Sequence, residues 1–241
     1  MALDAALVGT GCYIAAQEGI RPSLMSLYGT DNCGGTPCWR AALVLLPQLA
    51  ILPVATAIAA REHKSLRQWC TDCEKNGLRT AARVSVFVFY AFLLVDLLYA
   101  YFIRQTYADG TPVVVLRKLM IDHHVVCLLG HLYATSLCPK VSRPCFVFAI
   151  TCLEFGSGMS NVFWLLKPTA HAGLGALAYL VGMTISNVTT TILTWFWNVR
   201  AREGGAHLLR RWPPMCVWFF LIYLRQKEVH KISGYHWPWS F

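Results

Sequence analysis

Met120-Ile121-Asp122-His123-His124-Val125-Val126-Cys127-Leu128-Leu129-Gly130-His131 sets one acid and three histidines inside a run that otherwise reads as a membrane-spanning helix. Ionisable groups are costly in a bilayer and by default mark function there. The stretch therefore raises a first question, whether the rest of the chain is built for lipid. Of 241 residues 56% are hydrophobic and 14% charged, and mean hydropathy is +0.46, which is a membrane composition. Apolar runs near the roughly 20 residues needed to cross a bilayer recur at 41–59, 84–103, 119–137, 144–166 and 173–197. A sixth, 212–224, is short; it must tilt little, thin the bilayer or borrow Leu208 and Leu209 past the costly Arg210-Arg211 pair. The expected fold is all-α, a polytopic membrane helix bundle of about six transmembrane helices around a polar interior. It would occupy residues 38–227. Residues 1–37 form an N-terminal segment on the non-cytosolic side or at the interface, and 228–241 an aromatic tail that anchors there.

The formal charge of +9 resides in the loops between spans rather than on one soluble face, so it argues for topology and against nucleic acid as a partner. Loop 61–83 is the richest, with Arg61, Lys64, Arg67, Lys75, Arg79 and Arg83, and the positive-inside bias places it in the cytosol. Counting by loop gives 12 Lys and Arg on that side against 9 on the other. The early apolar run Ala5 to Ala16 has no basic start, which argues against a signal peptide. Asn32 to Cys38 is turn-forming; Cys33 and Cys38 either close a small disulfide loop on the lumenal side or stay two free thiols. Cys70 and Cys73 make one C-x-x-C with His63 as the nearby third donor, short of the four ligands of a structural zinc. The expectation there is a solvated loop with free or acylated thiols, and no metal.

Within the spans the polar residues are few and patterned. Gln48 lies between Pro47 and Pro53 and needs a partner. Asp96 is the only charge of its span, so it should point into the bundle, with Tyr99 three residues on sharing its face; a hydrogen-bonded strut and a chemical group are both open readings. Spans 119–137 and 144–166 are joined by a short turn and should run antiparallel. Reflection about Val141 puts His124 level with Gly158 and His131 level with Thr151, leaving Glu154 between the histidines in depth. His124 and His131, seven apart, share a face. Glu154, Ser157 and Asn161 form a polar stripe at helical spacing, and Gly156 and Gly158 permit close backbone approach.

Three likenesses fail on inspection. Asp122-His123-His124 is followed by Val125 rather than the cysteine of palmitoyltransferases. The eight histidines are too scattered for a di-iron site. Asn187-Val188-Thr189 is a glycosylation sequon placed mid-span.

Taken together, the residues resemble the TLC domain family of multi-spanning membrane proteins, to which the ceramide synthases belong. The resemblance rests on the aromatic helix Tyr90 to Asp96, the His123-His124 pair opening a span, Glu154 with Asn161 and Trp164 beyond it, Trp218-Phe219 near the end, and Trp39-Arg40 at the start. Ile150 and Thr151 stand where the synthases carry His and Asp, so the chain resembles the non-synthase members more. The family implies a helical barrel around the histidines, an endoplasmic reticulum or related endomembrane, and a role in lipid, including sphingolipid, homeostasis. Two functions follow. One is binding or regulating membrane lipid without turnover. The other is acyl transfer from acyl-CoA to an amine or hydroxyl, with His123 or His124 as base or acyl-accepting nucleophile and Glu154 or Asp96 orienting the imidazole. His131, Ser157, Asn161 and Tyr99 would contact the ligand. Membrane lipids, acyl-CoA as co-substrate and a second copy of the chain are the partners considered, with no other cofactor.

Overall fold

The computed structural model describes residues 2–29, 31–33, 36–98 and 118–233. Its chain order begins with α1 (Ala2–Tyr28), a two-strand ribbon of β1 (Asn32–Cys33) and β2 (Thr36–Pro37), and α2 (Cys38–Leu45). A π-helical turn, Leu46–Ile51, carries α2 directly into α3 (Leu52–Arg61). Then come α4 (Leu66–Asn76), α5 (Thr80–Leu98), α6 (Lys118–Ser136), a 3-10 turn (Lys140–Ser142), α7 (Arg143–Leu166), α8 (Ala172–Glu203) and α9 (Leu208–Ser233).

The longest helix shows which solvent the fold answers to. Along α8, Leu177, Val181, Ile185, Val188, Ile192 and Trp195 are exposed at steps of three and four, whereas Ser186, Asn187, Thr190 and Thr194 are buried. A helix facing water carries the opposite pattern. The α2–α3 segment repeats the inversion, with Leu46, Ile51, Val54 and Ile58 outward and Gln48 and Thr56 inward. These are the surfaces of a membrane protein, apolar toward lipid and polar toward neighbouring helices.

Among the described residues three helical segments are long and apolar enough to span: Cys38–Arg61, Lys140–Leu166 and Ala172–Glu203. A fourth is possible if Leu66–Asn76 and Thr80–Val95, bent by 87°, count as one. The sequence expectation of six is thus met at three or four. The difference has three causes: the continuation of α5 past Leu98 lies outside the described residues, Lys118, Asp122 and three histidines lower the apolarity of the 19-residue α6, and Arg210, Arg211, Arg225, Lys227 and Glu228 dilute α9 with charge.

The packing centre is the α7–α8 pair, with α9 against α8 and α2–α3 against α7. Small residues set these distances. A Cβ on Gly158 would meet Leu49 Cγ at 2.8 Å, and one on Gly182 would strike the Met159 side chain. α8 turns into α9 through Gly204 and Gly205; the latter's φ of +83° is one that a side chain resists. The N-terminal segment is itself a helix. Tyr13 of α1 packs edge-on to Phe92 of α5, and Trp39 is buried beside Tyr13, Ile14, Leu24 and Met25.

At one end of the bundle Cys33 and Cys38 form a disulfide, which decides between the two readings of that pair and belongs in an oxidising compartment. At the other end lies α4, started by Ser65, whose Oγ accepts from Gln68 N at 3.1 Å. Cys70 and Cys73 sit here, and the expectation of a solvated loop is corrected: both are buried, on the helix face that carries Trp69. Burial pushes the Cys73 thiol up to about 11. His63 stacks on Trp69 with centroids 5.5 Å apart, and its Nδ1 bonds Asp72 Oδ2 at 2.9 Å. Among the described residues no three His, Cys, Asp or Glu converge as a metal site.

The redox asymmetry is checked by mass. Unfolded without reductant, the protein should add eight maleimides, and ten after reduction. Ten without reductant would remove the disulfide.

Candidate functional site

Each of the three segments long and apolar enough to span carries a buried polar residue within two positions of its own centre: Gln48, Glu154, and the pair Ser186 and Asn187. Depth alone therefore brings them together near the bilayer midplane, where each needs a partner from another helix. Gln48 supplies two such bonds. Its Nε2 donates to Glu154 Oε2 at 2.9 Å, while its Oε1 accepts from Asn161 Nδ2 at 2.9 Å. The carboxamide thus bridges two residues of the α7 stripe, seven apart. Below it Thr56 bonds Thr151 at 2.7 Å and Ser85 at 3.1 Å, tying α3, α7 and α5.

The other half of the site comes from α9. Arg225 Nη1 donates to Ser157 Oγ at 2.9 Å, Nη2 to Leu153 O at 2.8 Å and Ser186 Oγ at 3.0 Å, and Nε to Asn187 Oδ1 at 3.1 Å. Ser186 Oγ in turn donates to Cys152 O at 2.6 Å, and Asn187 Nδ2 to Gln226 Oε1 at 2.9 Å. The guanidinium and the Glu154 carboxyl group do not touch as an ion pair; Glu154 is held by Gln48 of the π-helical turn, and Arg225 by neutral groups of α7 and α8.

The histidines of α6 form a second cluster. His131, 2% exposed, lies among rings: Tyr90 at 4.1 Å, Phe146 at 4.4 Å and Phe89 at 5.3 Å between centroids. His124 is buried, 6.0 Å from Phe92 and 5.6 Å from His123. His123 Nε2 stands 3.7 Å from Cys127 Sγ, one turn on. A cavity of about 20 Å³, room for about one water, is lined by Cys127, Gly130, His131, Ile150, Leu153 and Trp218 among others. Leu153 joins the clusters, since its side chain faces this cavity and its carbonyl accepts from Arg225.

The sequence-predicted residues are thus divided. Glu154, Ser157 and Asn161 share the midplane network; His123, His124 and His131 share the aromatic cluster. Tyr99 and the side chain of Asp96 lie outside the described residues. His131 meets Phe146 and lines one cavity with Ile150 and Leu153, which bracket the expected level of Thr151, but Thr151 itself bonds Thr56. α6 leans on α5 and α9 more than on α7, so a shared depth does not make residues of α6 and α7 direct partners. Sequence reasoning missed Arg225, Ser186 and Gln226. A signal for Arg225 exists: buried Trp218, Leu221 and Val229 recur at helical spacing, and Arg225 falls on the same stripe. It was obscured by ending the last span at 224.

No family model, no curated protein and no solved structure matches this chain.

Proposed function

We propose that the protein is a multi-pass membrane protein of lipid homeostasis, of the TLC type outside the ceramide synthases and resident in an endomembrane. It acts by holding the polar part of a membrane lipid at the midplane network rather than by turning it over. The observation that carries this reading is the placement of Gln48, Glu154, Ser186 and Asn187 at the centres of three spanning segments, with Gln48 bonded to Glu154, and Arg225 tying Ser186 and Asn187 to Ser157 of α7. A network with a carboxylate on one side and a guanidinium on the other offers acceptor and donor groups to a zwitterionic or amide-bearing headgroup. Partners on this reading are membrane lipids, with self-association of the chain as the further option.

A second reading, acyl transfer from acyl-CoA, is favoured by one contact, His123 Nε2 beside Cys127 Sγ at 3.7 Å. There His123 would take the thiol proton, Cys127 would accept the acyl group as CoA thiol departs, and an amine or hydroxyl would then remove it.

Untargeted lipid mass spectrometry separates the two. Cells express wild type, Glu154→Gln or the His123→Ala, His124→Ala double variant at matched protein levels. The expected result is a lipid class that shifts with wild type, persists in the histidine variant and is lost with Glu154→Gln. Loss in a folded histidine variant would transfer the function to acyl transfer, and no shift with wild type would end both readings.

A further inference from the structure

The basic residues are distributed between the two ends of the bundle in a way that the polar core does not require. The end formed by 61–83, 137–143 and 198–212 holds 12 Lys and Arg against 4 Asp and Glu, a net +8 of the chain's total +9. Nine of those 12 cations are exposed. Three of the acids are engaged locally, Glu62 with Arg79, Asp72 with His63 and Glu203 with Arg200. The positive-inside bias explains an excess of charge in loops, but it does not gather the loops into one surface. Here they are gathered: the Lys140–Ser142 turn packs on α4 and α8, Gly204 presses on Pro139 and Val141, and Cys138 Sγ donates to Arg210 O at 3.7 Å. α4 is turned 87° from α5 and lies crosswise to it at this end.

A second observation sits on the same end. At the start of α9, Leu208, Leu209 and Trp212 are 57%, 81% and 60% exposed on either side of Arg210-Arg211. Apolar and aromatic side chains beside the exposed Arg210 suit the boundary where headgroups meet acyl chains; a soluble polyanion has no use for them. The disulfide at the opposite end puts this one on the cytosolic side, where anionic phospholipids concentrate.

We infer that this end of the bundle binds anionic phospholipid headgroups of the cytosolic leaflet, with Arg67, Lys140, Arg202 and Arg210 on phosphate and Leu209 and Trp212 seated among the upper acyl carbons. The site rests on the membrane reading of the fold and is independent of the Glu154 network.

Binding is measured on the purified full chain in detergent by microscale thermophoresis, using dioctanoyl phosphatidylinositol 4-phosphate, dioctanoyl phosphatidylcholine and free inositol 1,4-bisphosphate. The phosphoinositide should bind at least about tenfold tighter than phosphatidylcholine at low salt and lose most of that margin in high salt. The Arg67→Gln, Lys140→Gln, Arg202→Gln, Arg210→Gln variant should lose the preference, the Arg67→Lys, Arg202→Lys, Arg210→Lys variant should keep it, and Glu154→Gln should bind as wild type. Equal affinity of wild type for both lipids overturns the site without recourse to any variant. So does a preference retained by the glutamine variant. Free inositol phosphate binding as tightly as the lipid would overturn the lipid assignment in favour of a soluble phosphate ester.

Discussion

Replacing Arg225 with leucine should lower the stability of the detergent-solubilised protein by about 3 kcal/mol, more than the loss of a single interhelical bond. Four donated bonds disappear at once, to Ser157, Leu153, Ser186 and Asn187. Bonds to a charged donor are worth about 1.5–3 kcal/mol each in water-soluble proteins. Interhelical bonds in a bilayer average nearer 0.6 because the separated helices also find partners, so the total is set near the lower bound. Arg225→Lys keeps the charge but offers a point donor in place of a fork, and should recover only a minority of the loss. Thermal unfolding of the three proteins, followed by circular dichroism, checks this. A leucine variant within about 0.5 kcal/mol of wild type, the range of an ordinary surface change, would mean that α9 is held by its apolar contacts alone.

Gly156→Ala should destabilise by about 2 kcal/mol, the middle of the range for overpacking a filled interior. The added methyl would fall on Arg225 Nη2 and Ser186 Oγ and lie 2.7 Å from Ser186 Cβ, so both sides of the network must move. The same substitution at Gly19 in α1 meets nothing within 4 Å. There alanine's better helix propensity, up to about 1 kcal/mol in a helix interior, should show as neutral or slightly stabilising. Opposite signs for one chemical change, read in the same denaturation assay, would attribute the effect to the α7–α8–α9 junction. Matching signs would sink that attribution.

The membrane class was legible because lipid imposes a simple demand on composition and run length, and α7 and α8 fall close to the runs predicted for them. The Glu154, Ser157, Asn161 stripe was legible because polar residues at helical spacing stand out in an apolar run. Their partners were not. Gln48 is 106 residues from Glu154, and Arg225 is 68 from Ser157. Helical periodicity reports which face a residue occupies but not which other helix that face meets. Reflecting α6 onto α7 gives a depth but no partner for this reason. α1 was missed because Asp4, Glu18 and Arg21 interrupt its apolar run and its burial comes from α5 and α2, which its own pattern does not reveal.

The π-helical turn at Leu46–Ile51 sets the angular phase of the first spanning segment. In a regular helix two residues eight apart point about 80° away from each other. Gln48 and Thr56 are eight apart, yet both address α7, one at Glu154 and the other at Thr151. The wider turn, bonding i to i+5, contains the start of that interval and closes part of the angular gap. It does so beside Pro47 and Pro53, where a regular hydrogen-bond ladder is already broken. One surplus residue thereby works as a vernier between the upper and lower halves of a single helix. It lets one rod keep two contacts in step with a straight neighbour, and a length change of one residue in 46–51 is transmitted to the site chiefly as rotation, about 100° against a rise of about 1.5 Å.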